Sequence, residues 1–299
     1  MKYDVAVLGS INVDIKAQIS QYPEYGATAT AKSVVTLPGG KGANQAVGVA
    51  RLGGKLAFMG SVGQDASGQQ MLQNLTDFGI DTQYIKQSQD AGTGSFIVWL
   101  DDDGENTMVG TLGANASLTA MDIEKAMQEI EAPVLLLQME TSRESIMAAL
   151  EQARQKGMFV ILDPAPADNY FEEALQYADC VTPNMQETQK ISGVKVTDQE
   201  SALQAAKIIA AKGVPNVIVK MGSQGNLVYQ NGQVDYVASH KVKAVDTLGA
   251  GDTFAAGLAV SYAKKQDLLA AVEYGNKAAA IKVSRTGGQK SMPTDAEMK

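Results

Sequence analysis

Cysteine, histidine and tryptophan occur once each in the 299 residues, as Cys180, His240 and Trp99. A single Cys excludes an intrachain disulfide and makes a reducing compartment the simplest expectation. A single His excludes a His-based metal cluster and any relay between two histidines. No stretch approaches the ~18 consecutive apolar residues of a membrane helix, and MKYDVAVLGS has no long apolar run of the signal-peptide kind. Neither secretion nor membrane insertion is expected, and a cytoplasmic protein is. Positive charge is in deficit. Lys and Arg number 25 against 33 Asp and Glu, a formal net charge of -8. That balance argues against broad binding to nucleic acid or to an anionic membrane. Two nucleotide signatures are also missing. There is no GxxxxGK[ST], and no GxGxxG follows the first strand pattern. Their absence demotes an ordinary P-loop and a dinucleotide-dependent oxidoreductase.

What is present is a large apolar fraction, 45%, and 29 glycines that cluster. The length suits a large core, or one domain with a small appendage. Continuous apolar runs alternate with amphipathic ones. Strands are expected at 4–10, 56–63, 132–140, 158–166, 178–184 and 216–222. Helices are expected at 42–52, 67–79, 142–157, 201–213, near 251–264 and at 267–283. NLVYQNGQVDYVAS (226–239) reads as a hairpin turning at Asn231-Gly232. This order predicts an α/β fold with a mainly parallel central sheet covered by helices on both faces. Two segments, about 11–38 and 92–113, alternate polar and apolar residues with no helix between. They predict a small sheet projecting from the core of a single domain spanning 1–299. Asp103-Gly104 is the expected turn of its second hairpin.

The chemistry-bearing residues gather in four glycine-rich or polar stretches: LPGGKGANQA, TPNMQE, KMGSQG and DTLGAGDTF. In the last, Gly249 and Gly251 permit tight turns, and the N–H groups near 249–252 are free at a helix start. Such a start suits an anion. Asp252 there is either a residue of the helix cap or a base for a hydroxyl attacking a phosphoryl group. On this segment alone both remain open. Gly40, Lys41, Gly42 and Asn44 can close over a small polar ligand. Asn12 and Asp14 follow the first strand, at the strand end where α/β proteins bind ligands, and Glu140 and Asp163 also stand at strand ends. Surface or turn chemistry is the plainer alternative for each of these. His240 reads as a surface or structural residue, and Cys180 as a small buried one.

Taken together, LGSINVD, GGKGANQAV, LLQME, DPAPA, TPNMQE, MGSQG and VDTLGAGDTF resemble the ribokinase-like (PfkB) family of ATP-dependent carbohydrate kinases. The set spans nearly the whole chain, in order. The resemblance implies an α/β core with a β-sheet lid over the sugar, and a homodimer paired through that lid. It implies phosphorylation of D-ribose at the 5-hydroxyl by ATP, with fructose, deoxyribose or a nucleoside as alternative substrates. A non-catalytic sugar-binding regulator is the alternative outside enzymes. Asn12, Asp14, Gly40, Lys41, Gly42, Asn44 and Glu140 would bind the sugar. Asp252 would take the hydroxyl proton beside an anion hole of Gly249, Ala250 and Gly251. Asn184 and Glu187 would organise Mg2+ and phosphate. Lys220, Met221, Gly222, Ser223 and Gly225, with Gly251 and Asn276, would lie along ATP. An activating K+ would be held by Asp246, by backbone carbonyls of Leu248, Lys282, Arg285 and Gly287, and by Ser291. The sequence departs from the family pattern in having Lys220 where Thr is common. PEYGATATA also lacks the acidic residue usual in the family's GET-like stretch, and Lys290 and Met292 stand beside the expected cation loop.

Overall fold

The computed structural model of the chain describes residues 2–102 and 106–299. The expected Asp103-Gly104 turn lies outside them. The elements follow in chain order. β1 (Val5–Leu8), β2 (Asn12–Gln18) and β3 (Ser33–Gly39) precede α1 (Lys41–Arg51) and β4 (Leu56–Gly63). Next come α2 (Ala66–Asp77), β5 (Ile85–Ser88), β6 (Gly94–Leu100), β7 (Asn106–Thr111), α3 (Ala120–Glu129) and β8 (Val134–Leu137). α4 (Arg143–Gln155), β9 (Phe159–Leu162), β10 (Cys180–Val181), α5 (Met185–Ser192), α6 (Gln199–Ala211) and β11 (Asn216–Lys220) continue the alternation. The hairpin β12 (Asn226–Gln230) and β13 (Gln233–Val237) leads to α7 (Ala250–Lys265) and α8 (Leu268–Val283).

Nine strands form the central sheet in the order β13-β12-β11-β10-β9-β8-β1-β4-β5. From β11 to β5 every pairing is parallel; only the hairpin edge is antiparallel. The middle strands are apolar on both faces because helices cover both. Ala6, Leu8, Leu135, Leu137 and Val219 pack with Ile123, Met127, Leu150 and Ile209 of α3, α4 and α6. Val5, Val7, Val134, Leu136 and Ile218 pack with Val47, Met71, Phe254 and Val272 of α1, α2, α7 and α8. Most helix starts are read directly from side-chain caps. The Asp65 carboxylate accepts from Gly68 N at 2.7 Å, and Thr119 with Asp122, and Asp198 with Ser201, form reciprocal capping boxes. α1 and α7 cross where Gly48 meets Ala256; a Cβ on Gly48 would lie 2.6 Å from the Ala256 methyl.

The second sheet, β3-β2-β6-β7, is drawn from the two segments that lack helices. Register places Asp14 beside Leu37, Phe96 and, through β6, Gly110 on one face. Ile15, Val34, Ile97 and Val109 fall on faces shared by odd positions of β2 and their partners, and Val34, Ile97 and Val109 are exposed. No helix among the described residues is long and apolar enough to cross a membrane.

Parallel strands end at one edge, and that edge carries the polar residues. Gly9 and Ser10 follow β1, Glu140 lies just beyond β8, Asp163 beyond β9, Thr182 and Asn184 beyond β10, and Lys220 ends β11. The N-termini of α1 and α7 enter over the same edge.

Candidate active site

Two glycines bring α1 to the strand edge. Gly40 sits at φ 89°, a left-handed conformation that an L side chain rarely adopts, and a Cβ there would lie 2.6 Å from the Ser10 carbonyl oxygen. Gly42 approaches Gly9 so closely that a Cβ would lie 2.3 Å from the Gly9 carbonyl carbon. Lys41, the first residue of α1, then points toward Glu140, with Nζ 3.8 Å from Oε1. The other Glu140 oxygen accepts from Ser10 Oγ at 2.5 Å and from Lys41 N at 3.4 Å.

Asp252 is the third residue of α7, whose start at Gly249 (φ 74°) has no side-chain cap. Its carboxylate is not spent on capping. Oδ2 accepts from Asn44 Nδ2 at 2.9 Å, and Oδ1 from Gln45 Nε2 at 3.3 Å. Both amides are oriented by further partners. Asn44 Oδ1 accepts from Gln289 Nε2 at 3.0 Å, and Gln45 Oε1 from Gln138 Nε2 at 2.6 Å. Each therefore presents N–H to Asp252, which favours the ionised acid. Burial raises the Asp252 pKa, while Lys41 and the two amides act to lower it. Of the N–H groups at this helix start, that of Ala250 donates to the Thr247 carbonyl at 3.2 Å. Those of Gly251 and Asp252 have no acceptor among the described residues. The Gly249 N–H likewise has no acceptor among the described residues, so of the expected trio of Gly249, Ala250 and Gly251 only Ala250 is engaged.

Lys220 and Asp163 form the most enclosed ion pair at the edge: Nζ to Oδ1 is 3.0 Å, with side chains 14% and 3% exposed. Asp163 also accepts from Gln45 Nε2 at 3.0 Å, so a chain of contacts links Lys220 to Asp252. Lys220 Nζ lies 3.7 Å from where a Cβ on Gly251 would stand, beside the free N–H groups. Burial works to lower the Lys220 and Lys41 pKa values, but the surrounding carboxylates hold both above the ordinary lysine value. Asp14 enters from the small sheet. Burial, then the charge of Glu140, pushes its pKa up to about 6.

The other expected residues fall into three groups. Asn12 is nearly closed off at 2% exposure, and its Oδ1 accepts from Asn115 Nδ2 at 2.8 Å. Asn184 and Glu187 close on each other as the capping box of α5, with Asn184 N to Glu187 Oε2 at 2.7 Å. Burial and the nearby Asp163 raise the Glu187 pKa. Met221 is buried, and residues 222–224 make a single helical turn that Gly225 ends at φ 91°. Ser223 O accepts from Ser239 Oγ at 2.6 Å, and Asn276 accepts from Asn226 Nδ2 at 2.5 Å while donating to Ala238 O at 3.3 Å. Around Asp246, the contacts differ from the expected set of cation ligands. Lys282 was expected to contribute only its carbonyl, but its ammonium reaches Asp246 O at 3.3 Å. Burial lowers the Lys282 pKa, and Asp246 opposes that.

The sequence reading did not single out Gln45, Gln138, Asn115 or Gln289. Gln45 had a usable signal, because Lys41, Asn44 and Gln45 share one helix face at i, i+3 and i+4. The other three come from distant loops and strand ends, with no local pattern.

A buried carboxylate held by two amides, beside free helix N–H groups and a lysine, is a constellation for moving a proton near a transferring anion. The sequence matches the pfkB family of carbohydrate kinases over residues 2–295. The chain belongs to the pfkB carbohydrate kinase family. Within the family it is similar to the ribokinase of Haemophilus influenzae, 36% identical over 298 residues, covering 99% of this chain and 97% of that one. It is also similar to the deoxyribokinase of Salmonella typhi, 33% identical over 295 residues, covering 97% and 96%. Its fold is similar to that of the Arabidopsis thaliana ribokinase complexed with ribose and ATP, with TM-score 0.92, 31% identity and coverage of 100% and 98%. The α/β architecture and sugar or nucleoside kinase activity follow from family membership.

Proposed function

We propose that this family member transfers the γ-phosphoryl group of ATP to the 5-hydroxyl of D-ribose, yielding ribose 5-phosphate and ADP. The observation that carries this reading is Asp252, held by Asn44 and Gln45 at the α7 start, between Lys41 and the free Gly251 and Asp252 N–H groups. Two ribokinases and a deoxyribokinase among its similar proteins support a small pentose as substrate.

In this proposal the small sheet is a lid. Asp14 from the lid and Glu140, Lys41 and Asn44 from the core bind sugar hydroxyls, with Asn12 holding the base of the lid and Gly40 and Gly42 admitting the close approach. Asp252 accepts the proton of the attacking hydroxyl. The Gly251 and Asp252 N–H groups and the Lys220 ammonium offset charge on the transferred group. Residues 221–225 and Asn276 border the nucleotide. Lid closure excludes water and reduces idle ATP hydrolysis. The exposed Val34, Ile97 and Val109 on the small sheet support pairing of two lids in a homodimer.

No group of three acidic, Cys or His side chains suited to a metal occurs among the described residues. Glu187, whose carboxylate accepts from Asn184 N and Nδ2, would face an Mg2+ held chiefly by phosphates and water. When bound, Mg2+ would neutralise charge on the ATP phosphates.

Ribose, 2-deoxyribose, fructose and adenosine should be compared by coupled ADP release. Ribose is expected to give the highest kcat/KM; a higher value for another of the four reassigns the substrate. The Asp14 carboxyl adds a pH dependence. It accepts sugar hydroxyls most strongly when ionised, with both oxygens free to accept, and it titrates at about 6. Ribose affinity measured by calorimetry is therefore expected to fall roughly tenfold between pH 7 and pH 5, and Asp14→Asn to flatten that fall. Stability moves the other way. A folded pKa of about 6 against an ordinary 3.8 gives a contribution present in full below 3.8 and lost as pH rises through 6.

A further inference from the structure

The loop before α7 and the loop after α8 meet at Asp246. Family resemblance assigns this place to an activating K+, but the residues present do not fit that ion. Lys282, fully buried, puts its ammonium 3.3 Å from the Asp246 carbonyl oxygen and 3.8 Å from carboxylate Oδ2. Its Cε lies 3.9 Å from where a Cβ on Gly249 would stand, directly beneath the turn that starts α7. Most of the remaining oxygens are engaged as well. Asp246 Oδ1 accepts from Leu248 N at 3.0 Å and Oδ2 from Gly287 N at 3.2 Å. Ser291 Oγ donates to Gly287 O at 2.7 Å and to Gly288 O at 2.8 Å, and Lys282 O accepts from Arg285 N at 3.2 Å. A second unit positive charge among these groups would be repelled at short range by the Lys282 ammonium.

We propose that the Lys282 ammonium replaces the activating monovalent cation, so that this protein works without K+. Lys282 is then a positioning residue. An ammonium carries the charge of K+ and is similar in size, but it is tethered to α8. It draws the Asp246 carbonyl inward, while the Asp246 carboxylate ties the 246–249 turn to Gly287. That turn sets the direction of the Gly251 and Asp252 N–H groups. The proposal rests on the kinase reading, but part of its test does not.

Activity with ribose and ATP should be measured in choline chloride, with KCl replacing it at constant ionic strength. Wild-type kcat is expected to stay flat across the exchange. Lys282→Ala, which opens the space, is expected to lose about 10–100-fold in choline and to regain most of it in KCl. Lys282→Met, which keeps the buried stem without the charge, is expected to lose a similar factor without recovery in KCl. Thermal denaturation supplies a readout independent of turnover: KCl should raise the Tm of Lys282→Ala and leave that of the wild type unchanged. If no sugar supports ADP release, the kinase reading fails, while the Tm comparison still decides whether Lys282 stands in for the ion. The proposal is overturned by wild-type activation of about fivefold or more in KCl. A K+-induced rise in wild-type Tm, or wild-type kcat in Lys282→Met, also overturns it.

Discussion

Asp252→Asn is expected to lower kcat by about 10²–10⁴-fold at saturating ribose and ATP, the usual range for removing a general base. The change is nearly isosteric, and the site is built to hold an amide-sized group. Asn44 and Gln45 nevertheless both aim N–H at this position, so one donor of the new amide meets another donor. The cost should appear as a modest drop in Tm, with the fold intact. The pH profile separates a base from a structural acid. Because burial raises the Asp252 pKa, wild-type kcat should decline as pH falls through that raised value. The small residual rate of Asp252→Asn should show no such limb. A variant within a few-fold of wild-type kcat would remove Asp252 from the mechanism.

Lys220→Met is expected to lower kcat by about 10²–10³-fold, the scale of losing one charged donor at a developing anion. KM for ATP should rise, and KM for ribose should hardly move. A competing account makes Lys220 only the partner of Asp163, whose carboxylate is 3% exposed and would be stranded by the change. The double variant Asp163→Asn/Lys220→Met distinguishes them. If Lys220 acts on phosphate, Asp163→Asn restores the lost Tm without restoring kcat. Recovery of both together would mean that the pair serves stability alone.

The central sheet was legible because its strands are continuous apolar runs whose helices begin at caps and end near glycine. Helix α3 escaped notice although Ile123, Ala126, Met127 and Ile130 mark a buried helical stripe. The short β5, with Lys86 and Gln87 at its centre, has no pattern to separate it from a loop. At the site, strand-end residues were legible from the α/β rule, and the GGKGAN and GAGD stretches from their glycines. Long-range amide contacts were not. Gln138 and Gln289 reach Gln45 and Asn44 from 93 and 245 residues away in the chain. The role of Lys282 was hidden for a different reason. The family resemblance implied a role for its carbonyl alone, and the course of its side chain depends on the space beneath Gly249, which only tertiary packing defines.

The central claim is phosphoryl transfer from ATP to the 5-hydroxyl of ribose. Its most direct measurement is phosphorus NMR of the product formed from ATP, Mg2+ and ribose by the purified protein. The expected result is ADP in equal amount to a phosphomonoester whose signal couples to the C5 methylene protons. ADP accompanied only by inorganic phosphate, or no dependence of ADP formation on the sugar, would contradict the account.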